Sequence, residues 1–132
     1  MIVIDASVLA NVVGDDGSAG RAARTRIAAD SQWSSPDLVD VETVSVLRTR
    51  WRAGDLTVRR FRSAVEDLLA LPIVRFPVGP LMMRAYELRS NVSPYDATYV
   101  ALAEGLSCPL VSSDGRLARA PGIRCHVDIL TV

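Results

Sequence analysis

The chain has 132 residues, 49% of them apolar, and its 15 cationic and 15 acidic side chains give a formal charge of zero. We expect one domain over 1–132, with a single core large enough to do without disulfides or structural metal. The apolar content excludes a disordered chain, and the charge excludes a protein that coats nucleic acid by bulk attraction.

The apolar run Met1-Ile2-Val3-Ile4, closed by Asp5, predicts a first strand over 2–5. A helix follows over about 6–13 and stops in the turn-rich Gly14-Asp15-Asp16-Gly17. Ser18 is a suitable cap for a second helix that runs to Ala29. Pro36, after Ser34 or Ser35 as cap, predicts a third helix over 36–52, ended by Gly54. A fourth helix starts near Asp55 or Thr57 and continues to Leu71, where Pro72 halts it.

Residues 73–77 read as a second central strand, and Pro80 opens a helix over about 80–90. Ser93-Pro94-Tyr95-Asp96 resembles a capping box and starts a helix lasting to about Leu106. The last strands are expected over 109–112 and 123–130, with a short helix after Asp114. Strands alternating with helices predict an α/β fold, a mostly parallel sheet covered on both faces.

Four acids stand out. Asp5 and Asp114 each end an apolar strand, the place where ligands collect in open α/β sheets, although each would also serve as a helix cap. Glu42 projects on the face of its helix that carries Leu38, Val39, Ser45 and Val46, where an unpaired charge is costly. Asp96 shares a face with Tyr99, Val100 and Ala103. Carboxylates gathered in one desolvated place need a positive partner, and an all-oxygen set suits Mg²⁺ or Mn²⁺. Cys108, Cys125 and His126 have no zinc-ligand spacing.

These residues also resemble a known family. Val3-Ile4-Asp5-Ala6-Ser7-Val8-Leu9, the segment from Pro36 to Glu42, the segment from Ser93 to Ala103, and Leu110-Val111-Ser112-Ser113-Asp114-Gly115-Arg116-Leu117 are similar, in order and spacing, to the motifs of PIN-domain ribonucleases. The compact length is similar to that of the VapC-type toxins of toxin–antitoxin pairs. Two positions depart from the pattern: Ser45 stands where the family commonly has Asn, and Ser112 where it has Thr. The resemblance implies a PIN-like α/β/α fold, metal-dependent cleavage of RNA, and inhibition by a cognate VapB-type antitoxin.

On this reading Asp5, Asp96 and Asp114 hold the ion, and Glu42 completes the set directly or through water. Ser7, Ser112 and Arg116 are candidates for contacts to substrate. The run Arg48, Arg50, Arg52, Arg59, Arg60 and Arg62 offers a positive flank for RNA. Surplus apolar residues between 36 and 71 offer a face for a partner helix or a homodimer. With no basic leader and no apolar stretch of membrane-spanning length, a cytoplasmic protein is expected. The competing readings are a non-catalytic PIN-like binding module and, more distantly, a phosphatase or receiver domain; the latter lacks its second strand-end Asp and any Lys.

Overall fold

The structure, a computed structural model, describes residues 1–131. Their strands are β1 (Ile2–Ile4), β2 (Trp33–Pro36), β3 (Ile73–Phe76), β4 (Leu110–Ser112) and β5 (Val127–Ile129), all parallel in the order β3-β2-β1-β4-β5. The helices are α1 (Ala6–Gly14), α2 (Ser18–Ala28), α3 (Val39–Arg52), α4 (Val58–Ala70), α5 (Met82–Glu87), α6 (Pro94–Leu106) and α7 (Gly115–Ala118). Helices α1 to α4 pack on one another as one layer, while α6 crosses β1, β2 and β4 with α5 beside it. This is the expected PIN-like α/β/α arrangement.

Strand β1 is apolar and buried throughout because it lies at the middle of the sheet with helices on both faces. Helix α6 is buried almost continuously from Ala97 to Ala103, as a helix held between a sheet and its neighbours must be. Its start follows the sequence: Ser93 caps it by accepting a hydrogen bond from the Asp96 N–H, and Pro94 sits in the first turn. Thr57 caps α4 in the same way. Gly54 adopts φ +86°, a conformation that ends α3 and favours glycine.

One strand was not foreseen. The helix expected from Pro36 begins at Val39, and residues 33–36 form β2 between β1 and β3. Ser34 and Ser35 read locally as caps, but pairing on both sides overrides that preference. The Ser35 hydroxyl is satisfied in the core by donating to the Ile4 carbonyl at 2.6 Å. Pro36, which has no N–H to give, falls at the strand's end, and the Asp37 N–H continues the ladder to the Phe76 carbonyl.

Three further boundaries change. Residues 73–76 form an edge strand rather than a central one. The helix expected over 80–90 is a 3₁₀ turn, Gly79–Leu81, followed by the short α5. The last strand shrinks to Val127–Ile129, and Gly122, at φ +87°, turns the chain five residues ahead of it.

Candidate active site

Between β1 and β4 the sheet order reverses, and a crevice opens beyond the carboxyl ends of those strands. Asp5 leaves the end of β1, and Asp114 lies two residues past the end of β4. Glu42 comes from the first turn of α3, reached from β2, and Asp96 from the first turn of α6. All four line one cleft of about 490 Å³ with Ala6, Ser7, Val41, Ser45, Val46, Tyr95 and Tyr99.

The two strand-end acids are caps as well as cleft residues. Asp5 Oδ1 accepts from the Val8 N–H at 3.1 Å and from the Ser7 hydroxyl at 2.6 Å. Asp114 Oδ1 accepts from the Arg116 N–H at 3.0 Å. For Asp96 the reciprocal bond of a capping box does not form; only the Ser93 hydroxyl is engaged, by the Asp96 N–H. Capping accounts for where these acids start their helices and leaves carboxylate surface facing the cleft.

Their electrostatics follow from that position. Burial pushes the Asp5 carboxyl above its ordinary range, and the charge of Asp96 adds to this, while the hydroxyls of Ser112 and Ser7 and the Val8 N–H oppose it. Glu42 is raised by burial first and then by the charges of Asp96 and Asp5. Asp96 is raised by burial and by Asp114. Asp114 is lowered, because the Arg116 guanidinium holds it through both oxygens at 3.2 and 3.1 Å.

Glu42 Oε1 and the Tyr99 hydroxyl are both buried without a hydrogen-bond partner among the described residues. They are near neighbours, and the phenol eases the Glu42 charge without reaching full hydrogen-bond geometry. An orphaned carboxylate oxygen in an acidic cleft is costly unless a cation or a bound group satisfies it. Among the described residues no three His, Cys, Asp or Glu side chains stand close enough together to hold a metal ion as they are placed. The cleft therefore supplies oxygen donors around an opening, with Asp114 turned toward Arg116.

The serines work behind the acids. Ser112, a candidate for contact with substrate, is fully buried. Its hydroxyl accepts from the Asp114 N–H at 3.0 Å, beside Asp5. Ser7 borders the cleft and ties Asp5 to Ser113, whose N–H it receives at 3.1 Å. The basic run is only partly free. Arg50 donates to Asn11 Oδ1 and the Ala10 carbonyl and Arg60 to Asp16, whereas Arg62 makes only an exposed pair with Glu66. Tyr95 and Val41 are exposed and line the cleft, and neither is among the residues the sequence singles out. Their only sequence signal is an apolar side chain directly before each helix-borne acid.

Fold and site together define a doubly wound α/β domain with an acidic cleft at its switch point. The family model described as PIN domain matches residues 2–123. Ribonuclease VapC9 of Mycobacterium tuberculosis is 39% identical over 130 residues, covering 98% of each chain. The crystal structure of Mycobacterium tuberculosis VapC20, described as a sarcin–ricin loop cleaving toxin, matches with a TM-score of 0.73 at 20% identity, over 94% of this chain and 97% of that one. VapBC2 of Rickettsia felis, solved on a DNA fragment from its promoter, matches with a TM-score of 0.68 at 14% identity, over 98% of each chain. This chain belongs to the PIN domain family, alongside the VapC ribonucleases.

Proposed function

We propose that this protein is an Mg²⁺- or Mn²⁺-dependent endoribonuclease, a single-domain cytoplasmic toxin neutralised by a cognate VapB-type antitoxin. The observation that carries the reading is the convergence of Asp5, Glu42, Asp96 and Asp114 on one cleft at the switch point. The relatives named as ribonucleases cover the full chain, and the orphaned Glu42 oxygen and the mutual repulsion of the acids fit a hard cation.

Asp5, Asp96 and Asp114 would hold the ion, with Glu42 directly or through water. When bound, the ion supplies positive charge against the scissile phosphate and makes a nearby water more acidic. The protein's own groups do the rest. The Glu42 carboxylate, made more basic by burial and by the neighbouring acids, would take the proton from the attacking water. Ser7 and the Val8 N–H fix Asp5, so the acid does not need to be ordered when substrate arrives. Arg116 is exposed and releases Asp114 at little cost to meet a phosphate oxygen.

The partner reading has its own support. Along α4, Val58 and Leu69 are exposed with Phe61 and Val65 between them, and Trp51 of α3 is exposed beside Phe61. Such a strip suits an antitoxin helix, or a second copy in a homodimer. No helix of the described residues is long and apolar enough to cross a membrane.

The test is mapping of new RNA ends on total cellular RNA with Mg²⁺, with EDTA, and with Asp5→Asn protein. Cleavage confined to the wild type with Mg²⁺ is expected, with a loss of at least about 100-fold in the variant. Equal cleavage in all three would overturn the assignment.

A further inference from the structure

The aromatic rings of this protein nearly all have partners inside the fold. The Trp33 indole N–H donates to the Ile27 and Asp30 carbonyls. Trp51 and Phe61 face each other with centroids 6.2 Å apart. Phe76 packs against the core, Arg89 lies 4.3 Å over the Tyr86 ring, and Tyr99 is buried. Tyr95 is different. It is 64% exposed, has no ring partner among the described residues, and lines the same cleft as the four acids. Val41, directly before Glu42, lines the same cleft and is 75% exposed.

We infer that Tyr95 is a stacking platform for an unpaired nucleobase next to the scissile phosphate, with Val41 adding apolar surface to the same cleft. The inference rests on the nuclease reading and names how that site grips its substrate. Until a cation is bound, a cleft lined by carboxylates repels a phosphodiester, and an attraction that does not depend on charge helps to hold the strand there. The π-face of a base on an aromatic ring provides it, and does so for any base.

The platform is rigid. Ser93 caps the helix, Pro94 fixes its first turn, and the Thr98 hydroxyl closes on the Pro94 carbonyl at 2.7 Å. A phenol with two torsions on such a base loses little freedom on stacking. Because Tyr95 directly precedes Asp96, a base on its ring brings the attached phosphate to the acids. On the far side a second hollow shares Asp96 and Asp114 with the cleft and adds Arg116 and Leu117, giving the backbone a continuous track past the acids. Bases inside a duplex have no free face to offer, so the fitted substrate is an unpaired stretch of RNA.

The experiment uses the full chain with a fluorescent mixed-sequence single-stranded RNA and the duplex made from it, measuring binding in EDTA and cleavage in Mg²⁺. Tyr95→Ala should weaken single-strand binding and raise KM about 10-fold, with kcat changed less and the melting temperature unaltered. Tyr95→Phe should restore the affinity, since the ring and not the hydroxyl does the stacking. The salt dependence should stay as in the wild type, because no phosphate contact is removed. Wild-type protein that neither binds nor cuts RNA would remove the nuclease reading and this inference together. An active wild type whose KM is unmoved by Tyr95→Ala would remove only the inference, as would a Tyr95→Phe protein as weak as the Ala variant. Loss of antitoxin affinity with RNA binding intact would assign Tyr95 to a protein interface instead.

Discussion

Asp5 is held between two demands. As the cap of α1 it is a favourable residue, worth about 1 kcal/mol, and as a buried carboxylate beside other acids it is an unfavourable one. Its raised pKa means the folded state binds the proton more tightly than the unfolded chain does. The contribution of Asp5, Glu42 and Asp96 to stability in the absence of cations is therefore fully present below the ordinary carboxylate range and is lost as pH rises through their raised values. Asp5→Asn keeps an acceptor for the Val8 N–H and removes the charge. In EDTA at neutral pH it should melt about 4 °C higher, corresponding to roughly 1 kcal/mol, and the gap should close near pH 4. A variant less stable than the wild type at pH 7 would contradict this account of the buried charge. A higher melting temperature in the variant would make Asp5 a residue kept for activity at the expense of stability.

The turn joining α1 to α2 shows how an element can depend on one atom's absence. Asp15 Oδ1 accepts from the N–H groups of Gly17 and Gly20 at 2.8 and 2.9 Å, which reverses the chain within a few residues. A Cβ on Gly20 would stand 1.8 Å from the Asp15 carbonyl oxygen, a backbone atom that cannot swing aside. Gly20→Ala should therefore cost on the order of 2–4 kcal/mol in urea unfolding, although alanine favours helices elsewhere. At the other side of the sheet, Arg75 of β3 grips Asp40 of α3 through two bonds, 2.8 and 3.0 Å, and donates to the Leu68 carbonyl of α4. This clamp secures the base of the helix that carries Glu42. Arg75→Ala should destabilise by about 2–3 kcal/mol, since it strands a part-buried carboxylate; a change within 0.5 kcal/mol in chemical unfolding would show the clamp to be idle.

Across the fold as an assembly, the acids and the sheet are coupled through the ion the cleft is proposed to take. A ligand that binds only the folded state stabilises it by mass action, about 2.7 kcal/mol at a hundred times its dissociation constant. Titrating Mg²⁺ or Mn²⁺ into EDTA-treated protein should raise the melting temperature progressively, and Asp5→Asn should blunt the response. A flat titration in the wild type would count against cation binding at this cleft. The exposed α4 strip would respond differently, through protein concentration or an added partner, which keeps the two effects separable.

Much of this protein is legible along the chain because the relevant signals are local. Strands β1 and β4 are apolar runs closed by or near an acid, the caps of α4 and α6 stand where their hydroxyl residues predict, and each of the four acids can be picked out by where it sits in its own segment. Strand β2 could not be read that way: Trp33-Ser34-Ser35-Pro36 looks like the lead-in to a helix until β1 and β3 flank it and the Ser35 hydroxyl finds the Ile4 carbonyl. The same holds for the surroundings of the acids. Local order names four carboxylates, but burial and mutual charge, which raise three of them and leave Glu42 Oε1 unsatisfied, exist only once four distant segments meet. Side-chain type is a property of the chain, whereas desolvation and proximity are properties of its packing, and the chemistry of this cleft is made of the latter.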